Sequence, residues 1–167
     1  MIYKTVDPKN IKDNLIKCFA EEWALVTAGN NDGYNLMTAS WGFVGEMWGN
    51  DAACVVIRPQ RYTMEFIDKS DYFTISFYGD RKDIHKVCGS KSGRDVNKTA
   101  ECRLTPVTNE KYVYFKEARL VLVVKKQFVQ QMSEEAFVDG AVLPRYYPDK
   151  DYHNMIIGKI EKVLVAE

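Results

Sequence analysis

The chain has 167 residues, of which 46% are hydrophobic and 28% charged, and its 23 basic and 23 acidic side chains give a formal net charge of zero. This composition predicts a single soluble globular domain over residues 1–167 and excludes an intrinsically disordered chain. Without net charge or a long apolar segment, we expect neither nucleic-acid binding nor membrane binding, and we expect a cytoplasmic location.

The cysteine and histidine content argues against a metal centre. The four cysteines, Cys18, Cys54, Cys88 and Cys102, contain no C-x-x-C pair. In a cytosolic chain this spacing favours buried thiols over a disulfide framework or a metal site. Two histidines, at positions 85 and 153, are too few for a His-rich metal site, so no metal is predicted.

Residues 7–19 predict an amphipathic helix that packs against a sheet. Asp7 can cap its first turn, and Pro8 suits the first helical position, where no backbone N–H is needed. The apolar face consists of Ile11, Leu15, Ile16 and Phe19. We expect no catalytic side chain on this helix.

A β-hairpin is predicted next, with strands over residues 23–28 and 34–41 joined by a turn whose sequence is GNNDG. In the second strand, the small side chains of Thr38, Ala39 and Ser40 would let a flat ligand approach the backbone. An ordinary amphipathic strand is the alternative interpretation of the same residues.

The middle of the chain predicts a strand, a tight turn, a helix and a second strand. Pro59 lacks a backbone donor and would end the first strand. Phe73, Ile75 and Phe77 alternate with polar residues, which is typical of a half-buried strand. The predicted elements are a glycine-rich loop over 41–49, a strand over 52–57, a helix over 62–70 and a strand over 72–78.

The turn before the predicted helix 62–70 gathers Arg58, Arg61 and Thr63. Free backbone N–H groups and the helix dipole favour an anion at such a position, and guanidinium groups match phosphate oxygens. The alternative is that Thr63 only caps the helix and the arginines are solvated. Arg61 is also spaced to form an ion pair with Glu65 across one helical turn.

A further helix is predicted over residues 80–88. Asp80 would cap its first turn and Gly89 would end it. His85 lies on this helix, and we interpret it as a structural residue.

The segment over residues 89–98, GSKSGRDVNK, is a second cationic turn. Its serines and glycines accompany Lys91, Arg94 and Lys98, which would make a phosphate cradle at a helix start. A capping box formed by Ser92 and Asp95 is the alternative interpretation.

The last third of the chain is predicted to be mostly strand. The elements are a long strand over 117–129, a short helix over 133–138, a loop over 143–150 and a closing strand over 155–165. About seven strands with few short helices indicate an antiparallel barrel with helical insertions.

Four groups of segments occur in a recognisable order. They are 35–41 (NLMTASW), 57–63 (IRPQRYT) with 73–77 (FTISF), 89–95 (GSKSGRD) with Lys98, and 117–122 (EARLVL) followed by 152–158 (YHNMIIG). Together they resemble the flavin reductase-like family, especially its flavoredoxin-like branch. The resemblance implies a mainly β fold, an antiparallel split β-barrel with short helical insertions.

The same resemblance implies a homodimer with FMN near the subunit interface. Residues 38–41 would line the isoalloxazine ring, largely through backbone groups. The first cationic turn would lie near the ribityl phosphate, and the second would complete the phosphate or ribityl contacts. The implied FMN-binding residues are Thr38, Ala39, Ser40, Trp41, Arg58, Arg61, Tyr62, Thr63, Ser76, Ser92, Gly93, Arg94 and Lys98.

The main hypothesis is therefore an FMN-binding oxidoreductase. It would be either a flavin reductase that takes electrons from NADH or NADPH, or a flavoredoxin-type carrier that passes electrons to a redox protein. The chain lacks a G-x-G-x-x-G fingerprint, so a nicotinamide would bind transiently over the flavin. No catalytic residue is predicted, although His153 or Trp48 would face the open side of the ring.

Two alternatives belong to other classes of protein. The first is a non-catalytic flavin- or haem-binding split barrel, in which His85 or His153 would be the axial haem ligand. The second is a barrel without a cofactor, in which neither cationic turn would bind a ligand.

Overall fold

Antiparallel strands dominate the computed structural model, which describes residues 2–167. The strands are β1 (Tyr3–Val6), β2 (Ala24–Asn30), β3 (Gly33–Ala39), β4 (Gly42–Met47), β5 (Asn50–Ile57), β6 (Tyr72–Phe77), β7 (Pro106–Thr108), β8 (Val113–Phe115), β9 (Leu120–Gln131) and β10 (Asn154–Ala166). The α-helices are α1 (Leu15–Lys17), α2 (Tyr62–Lys69), α3 (Lys82–Ser90), α4 (Lys98–Glu101) and α5 (Val142–Tyr146). Within residues 2–167, every helix is too short or too polar to span a bilayer.

Eight of the strands form one curved sheet in the order β3-β2-β6-β9-β10-β5-β4, and β1 pairs with β10 beyond this path. The first half of β10 pairs with β5 and its last four residues pair with β1, so β10 passes from one neighbour to the next. Register shifts against β9 at Gly158 and Ile160 bend the strand between these two halves. The predicted antiparallel split barrel with short helical insertions is confirmed.

Strand β6 is buried on both faces, so the prediction of a half-buried strand is wrong. Phe73, Ile75 and Phe77 lie in the main core cluster. On the opposite face Thr74 is fully buried and donates to the carbonyl of Val113 at 2.7 Å. The hairpin of β7 and β8, which the sequence pattern did not indicate, covers that second face.

The predicted helix over residues 7–19 is broken into short pieces. Asp7 does cap a single 3₁₀ turn, Pro8–Asn10, by accepting from the backbone N–H of Lys9 at 2.8 Å. A new helix, α1, then begins after Asn14 and passes into a π-helical turn, Cys18–Glu22. Phe19 is buried, whereas Ile16 is 82% exposed, so only part of the predicted apolar face contacts the sheet.

The hairpin of β2 and β3 is confirmed, but the loop predicted over residues 41–49 is wrong. That segment contains β4, which pairs along its whole length with β5. The connecting turn places Trp48 and Gly49 at φ values of 54° and 71°. Two consecutive positive φ values are typical of the two-residue turns that close β-hairpins.

Several predicted boundaries around the helices also change. Asp80 does not cap α3, which starts after Arg81, and Gly89 does not end α3, which continues to Ser90. The region predicted as a loop over 143–150 contains most of α5, and the helix predicted over 133–138 is one 3₁₀ turn, Glu134–Ala136.

The four cysteines are free and buried, as predicted. Burial raises the pKa of the Cys54 thiol to about 11, which makes it a poor nucleophile at neutral pH. The sulfur atoms of Cys88 and Cys102 lie 3.7 Å apart beneath α3. These thiols therefore act as small apolar side chains in the core.

Candidate functional site

A cleft of about 180 Å³ lies where the end of β3 faces the segment between β5 and α2. We call it the arginine cleft, and it is lined by Met37, Thr38, Ala39, Ser40, Trp41, Val56, Arg58, Arg61 and His153. It brings together six of the predicted FMN-binding residues, namely those at positions 38–41, 58 and 61. Ser40 and Trp41 lie beyond the last paired residue of β3.

The two arginines of the cleft differ in their partners. Arg58 donates to the carbonyl of Tyr146 at 2.8 Å, forms an ion pair with Asp151 and lies over the ring of Tyr147. The guanidinium of Arg61 is exposed and forms no hydrogen bond or ion pair with any residue between 2 and 167. Arg61 is therefore the cation of this cleft that is available to an anionic ligand, whereas Arg58 holds the segment around α5 in place.

His153 closes one side of the arginine cleft. Its ring lies 5.0 Å from the ring of Trp41, and its Nδ1 lies 2.8 Å from the hydroxyl of Tyr147. Burial, together with the positive charge of Arg58, lowers the pKa of His153 to about 4. The imidazole is therefore neutral at physiological pH and adds no charge to the cleft.

Because His153 is neutral in the folded chain, we expect the free energy of unfolding to fall in acid. Its pKa is about 4 in the folded chain against 6.5 for an unperturbed histidine. Between these values the unfolded chain binds a proton that the folded chain does not, so the free energy of unfolding falls as the pH falls from 6.5 to 4. We expect His153→Gln to flatten this fall, as measured by urea unfolding at several pH values. An unchanged pH dependence in the variant would show that His153 titrates normally.

Thr63 has a different role from the predicted helix cap. Arg61 occupies the capping position of α2, and the hydroxyl of Thr63 accepts a hydrogen bond from the side-chain amide of Asn35 at 2.8 Å. Both side chains are buried. A Cβ at Gly93 would overlap the amide oxygen of Asn35, so this glycine allows the second cationic turn to approach β3.

The second cationic turn lines a separate cleft of about 530 Å³. Lys98 is buried there, where its ammonium donates to the carbonyls of Leu36 at 2.9 Å and Cys88 at 3.2 Å. Burial lowers the pKa of this ammonium below its usual value. Lys98 is therefore bound by groups of the chain itself, and its place beside the phosphate or ribityl group stays a prediction.

The other two cations of this turn also have partners. Arg94 forms an ion pair with Glu65 and lies 4.5 Å above the ring of Tyr62, which replaces the predicted pair of Arg61 with Glu65. Lys91 pairs with Glu101 at 2.6 Å.

The predicted capping box at Ser92 is wrong. No helix begins at this residue; α4 begins at Lys98 and is capped by Asn97, which accepts from the backbone N–H of Ala100 at 3.0 Å. The hydroxyl of Ser92 instead accepts from the backbone N–H of Arg94 at 3.2 Å.

Three other predicted residues lie away from the arginine cleft. Tyr62 begins α2 and packs on Phe66. Ser76 is buried inside the sheet. Trp48 lies in the β4–β5 turn, where its ring is 6.0 Å from that of Phe128. Of the two residues predicted to face an open flavin ring, His153 reaches the cleft and Trp48 does not.

Several residues around the cleft were not identified from the sequence. Tyr146, Tyr147 and Asp151 hold Arg58 and His153, and the sequence placed the two tyrosines only within the loop predicted over 143–150. His85, interpreted as structural, is buried below Thr38, with its Nδ1 3.0 Å from the threonine hydroxyl.

Comparisons with known proteins agree with this architecture. Residues 16–167 match the family model described as flavin reductase like domain. No curated protein matches the chain. Among solved structures, flavoredoxin from Methanosarcina acetivorans is 18% identical, with a TM-score of 0.69 over 87% of this chain and 69% of that chain.

Two further structures have the same fold. An FMN-binding domain of a flavin reductases-like enzyme from Shewanella baltica OS155 is 18% identical, with a TM-score of 0.66 over 98% of this chain and 77% of that chain. The styrene monooxygenase flavin reductase from Pseudomonas putida S12 is 13% identical, with a TM-score of 0.63 over 87% of this chain and 80% of that chain. At these identities the similarity establishes the fold.

Proposed function

Because the chain belongs to the flavin reductase-like domain family, as its motifs predicted, we propose that it binds FMN in the arginine cleft and acts as a flavin-dependent oxidoreductase. The observation that carries this proposal is Arg61, whose guanidinium has no partner among residues 2–167. It stands at the start of α2 and lines the same cleft as the small side chains at positions 38–40.

The charged end of the cleft fits a phosphate group. The first turn of α2 leaves backbone N–H groups without intrahelical acceptors, and the dipole of the helix favours negative charge there. Arg61 adds a guanidinium that can bind two phosphate oxygens at once. We therefore assign the phosphate of FMN to Arg61, which lines the cleft immediately before the first turn of α2.

The opposite end fits an aromatic ring system. A second cleft of about 310 Å³ is also lined by Ser40 and Trp41, together with apolar side chains that include Phe19 and Phe43. No charged side chain lines this second cleft. A ligand with a phosphate at one end and a flat, largely apolar ring at the other matches the two clefts together, and FMN has this shape.

When bound, FMN would supply the electron-transfer chemistry, and the residues of the chain would bind and orient it. Trp41 and His153 would form one wall beside the ring. Because the imidazole of His153 is neutral, it would provide no positive charge to stabilise a negative charge on the ring.

Two modes of action remain within this proposal. In a flavin reductase, NADH or NADPH would reduce the flavin, which would then be released. In a flavoredoxin-type carrier, FMN would stay bound and pass electrons to a redox protein. Stopped-flow mixing with each nicotinamide distinguishes them, because loss of the oxidised flavin absorbance with either one supports the reductase.

The direct test is the visible absorption spectrum of the protein purified without added flavin, repeated on the supernatant after denaturation. We expect an oxidised flavin spectrum or, for a colourless protein, an oxidised flavin spectrum that stays with the protein after unbound FMN has been removed. Failure to bind added FMN would overturn the proposal. A haem absorbance band that His153→Ala removes would favour the haem-binding alternative.

We also propose that the protein is a homodimer, because one face of the sheet exposes several large apolar side chains. Four neighbouring strands, β4, β5, β10 and β9, place one residue each directly opposite the next. These residues are Phe43, Cys54, Ile157 and Phe128, so they share this face. Phe43 is 55% exposed, and Trp48 beside Phe128 is equally exposed. Exposed apolar groups that cluster in this way are typical of protein interfaces.

The homodimer predicts a specific effect of Phe43→Glu. A buried carboxylate at a dimer interface would lack a partner, so we expect the variant to be monomeric at concentrations where the unmodified protein is a dimer. Sedimentation equilibrium measures the two states. Val138→Glu is the control, because Val138 is fully exposed in a segment outside this face. An unmodified protein that is monomeric, or a Phe43→Glu variant that stays dimeric, would contradict the assignment.

A further inference from the structure

The imidazole of His85 lies below the arginine cleft. It contacts one residue that lines this cleft, Thr38. His85 is 2% exposed, and the rings of Trp23 and Tyr78 pack against it edge-on. Its Nδ1 lies 3.0 Å from the hydroxyl oxygen of Thr38, and Thr38 lines the cleft. Its other ring nitrogen, Nε2, is buried without a hydrogen-bond partner among residues 2–167.

A neutral imidazole carries one N–H, which determines the direction of the hydrogen bond to Thr38. Burial, together with the positive charge of Lys82, lowers the pKa of His85 to about 4, so the ring is neutral at pH 7. If Nδ1 carries the proton, it donates to Thr38 and Nε2 is a buried acceptor. If Nε2 carries the proton, Thr38 must donate to Nδ1 and Nε2 is a buried donor.

The first arrangement is the more stable of the two. The second arrangement buries an N–H group without an acceptor, which is rare in folded proteins, whereas the first leaves only the single lone pair of Nε2 without a donor. In the first arrangement Thr38 keeps its own proton, for which the backbone carbonyl of His85, 3.4 Å away, is a long and weak acceptor. The proton is therefore available to a ligand.

We infer that His85 is a positioning residue that, by donating from Nδ1, holds the Thr38 hydroxyl ready to donate into the arginine cleft. This inference rests on the proposed function and adds a preference for one kind of ligand atom. A donor at Thr38 favours a ligand that presents a carbonyl oxygen or an unprotonated ring nitrogen over one that presents an N–H at the same point. Such acceptors are present on the ring of oxidised FMN.

The tautomer of His85 can be measured without any flavin. The chain contains two histidines, so ¹⁵N-labelled histidine gives a simple spectrum, and the His153→Gln variant assigns the signals of His85. We expect the ¹⁵N shifts of His85 at pH 7 to show a proton on Nδ1. A proton on Nε2 would overturn the inference. Because this readout needs no ligand, it remains valid even if the protein fails to bind FMN.

A double-mutant cycle tests the consequence for the ligand. Thr38→Val removes the hydroxyl while keeping the shape, and we expect the Kd of oxidised FMN to rise roughly three- to tenfold, the usual range for one hydrogen bond. His85→Phe removes the Nδ1 donor, and the double variant should bind FMN no more weakly than Thr38→Val alone. Thr38→Ser keeps the hydroxyl and His85→Asn keeps a side-chain N–H donor, so both should retain most of the affinity.

The cycle also has a clear negative outcome. Additive losses of affinity from Thr38→Val and His85→Phe would show that the two residues act independently, which would overturn the inference. An Nδ1 proton together with no effect of Thr38→Val on FMN affinity would overturn it as well. If the unmodified protein binds no FMN, the proposed function fails, while the tautomer still decides the direction of the Thr38 hydrogen bond.

Discussion

Replacing Arg61 with alanine is expected to weaken FMN binding by roughly ten- to a hundredfold, the range of one or two charge-assisted hydrogen bonds. The guanidinium of Arg61 has no partner among residues 2–167, so its removal leaves no buried charge uncompensated. The loss should therefore reflect the contact with the phosphate. Riboflavin has the same ring without the phosphate. We therefore expect the unmodified protein and the Arg61→Ala variant to bind riboflavin equally well. Titration of flavin fluorescence measures both ligands.

Arg94→Ala is the matched control for this prediction. Arg94 was also predicted to contact the phosphate or the ribityl chain, but its guanidinium is occupied by Glu65 and the ring of Tyr62. We expect its removal to change FMN affinity less than the removal of Arg61. If Arg94→Ala weakens FMN binding more strongly, or if Arg61→Ala weakens FMN and riboflavin equally, the assignment of the phosphate to Arg61 is wrong.

Gly42→Ala is expected to destabilise the protein by about 1–3 kcal/mol, the usual cost of overpacking a core. An added Cβ at Gly42 would lie 2.5 Å from the ring of Phe19 and 2.6 Å from the backbone carbonyl of Cys54. Neither neighbour can move easily, because Phe19 is buried and Cys54 belongs to the paired strand β5. The strand must therefore shift, and Trp41 beside it must shift as well.

Gly45→Ala makes the same substitution in the same strand, where an added Cβ meets no atom within 4 Å. We expect it to be neutral or to stabilise the protein slightly, because alanine loses less backbone entropy than glycine on folding. Urea unfolding of the two variants, followed by circular dichroism, gives the comparison. Equal stabilities would show that Phe19 does not pack against Gly42 as the structure has it.

Local patterns predicted most strands of the sheet but not how the barrel closes. The hairpin of β2 and β3 follows from its glycine-containing turn, the end of β5 follows from Pro59, and the long strands β9 and β10 follow from their apolar residues. Strand β4 was missed because its glycines suggested a loop. Its glycine at position 42 instead makes room for Phe19, a residue of a distant helical turn, and that close approach leaves no mark on the local pattern.

The candidate site was predicted in part, for a similar reason. The small residues at positions 38–40 and the two arginines of the first turn do line one cleft. The second cationic turn looked equivalent in the sequence, since it has cations, serines and a glycine. In the structure its lysines and arginine are held by other groups of the chain, so composition alone overestimated the number of cations available to a ligand.

The sequence by itself determined the positions of most strands and turns, because backbone constraints and apolar periodicity act over a few residues. It also determined the family, because its motifs occur in a fixed order. Only the tertiary structure decided which charges remain unpaired. Arg58 meets Asp151, 93 residues away, and Arg94 meets Glu65, 29 residues away, whereas the guanidinium of Arg61 meets no partner among residues 2–167. Ion pairs form wherever folding brings opposite charges within a few ångströms, and separation along the chain does not reveal that distance.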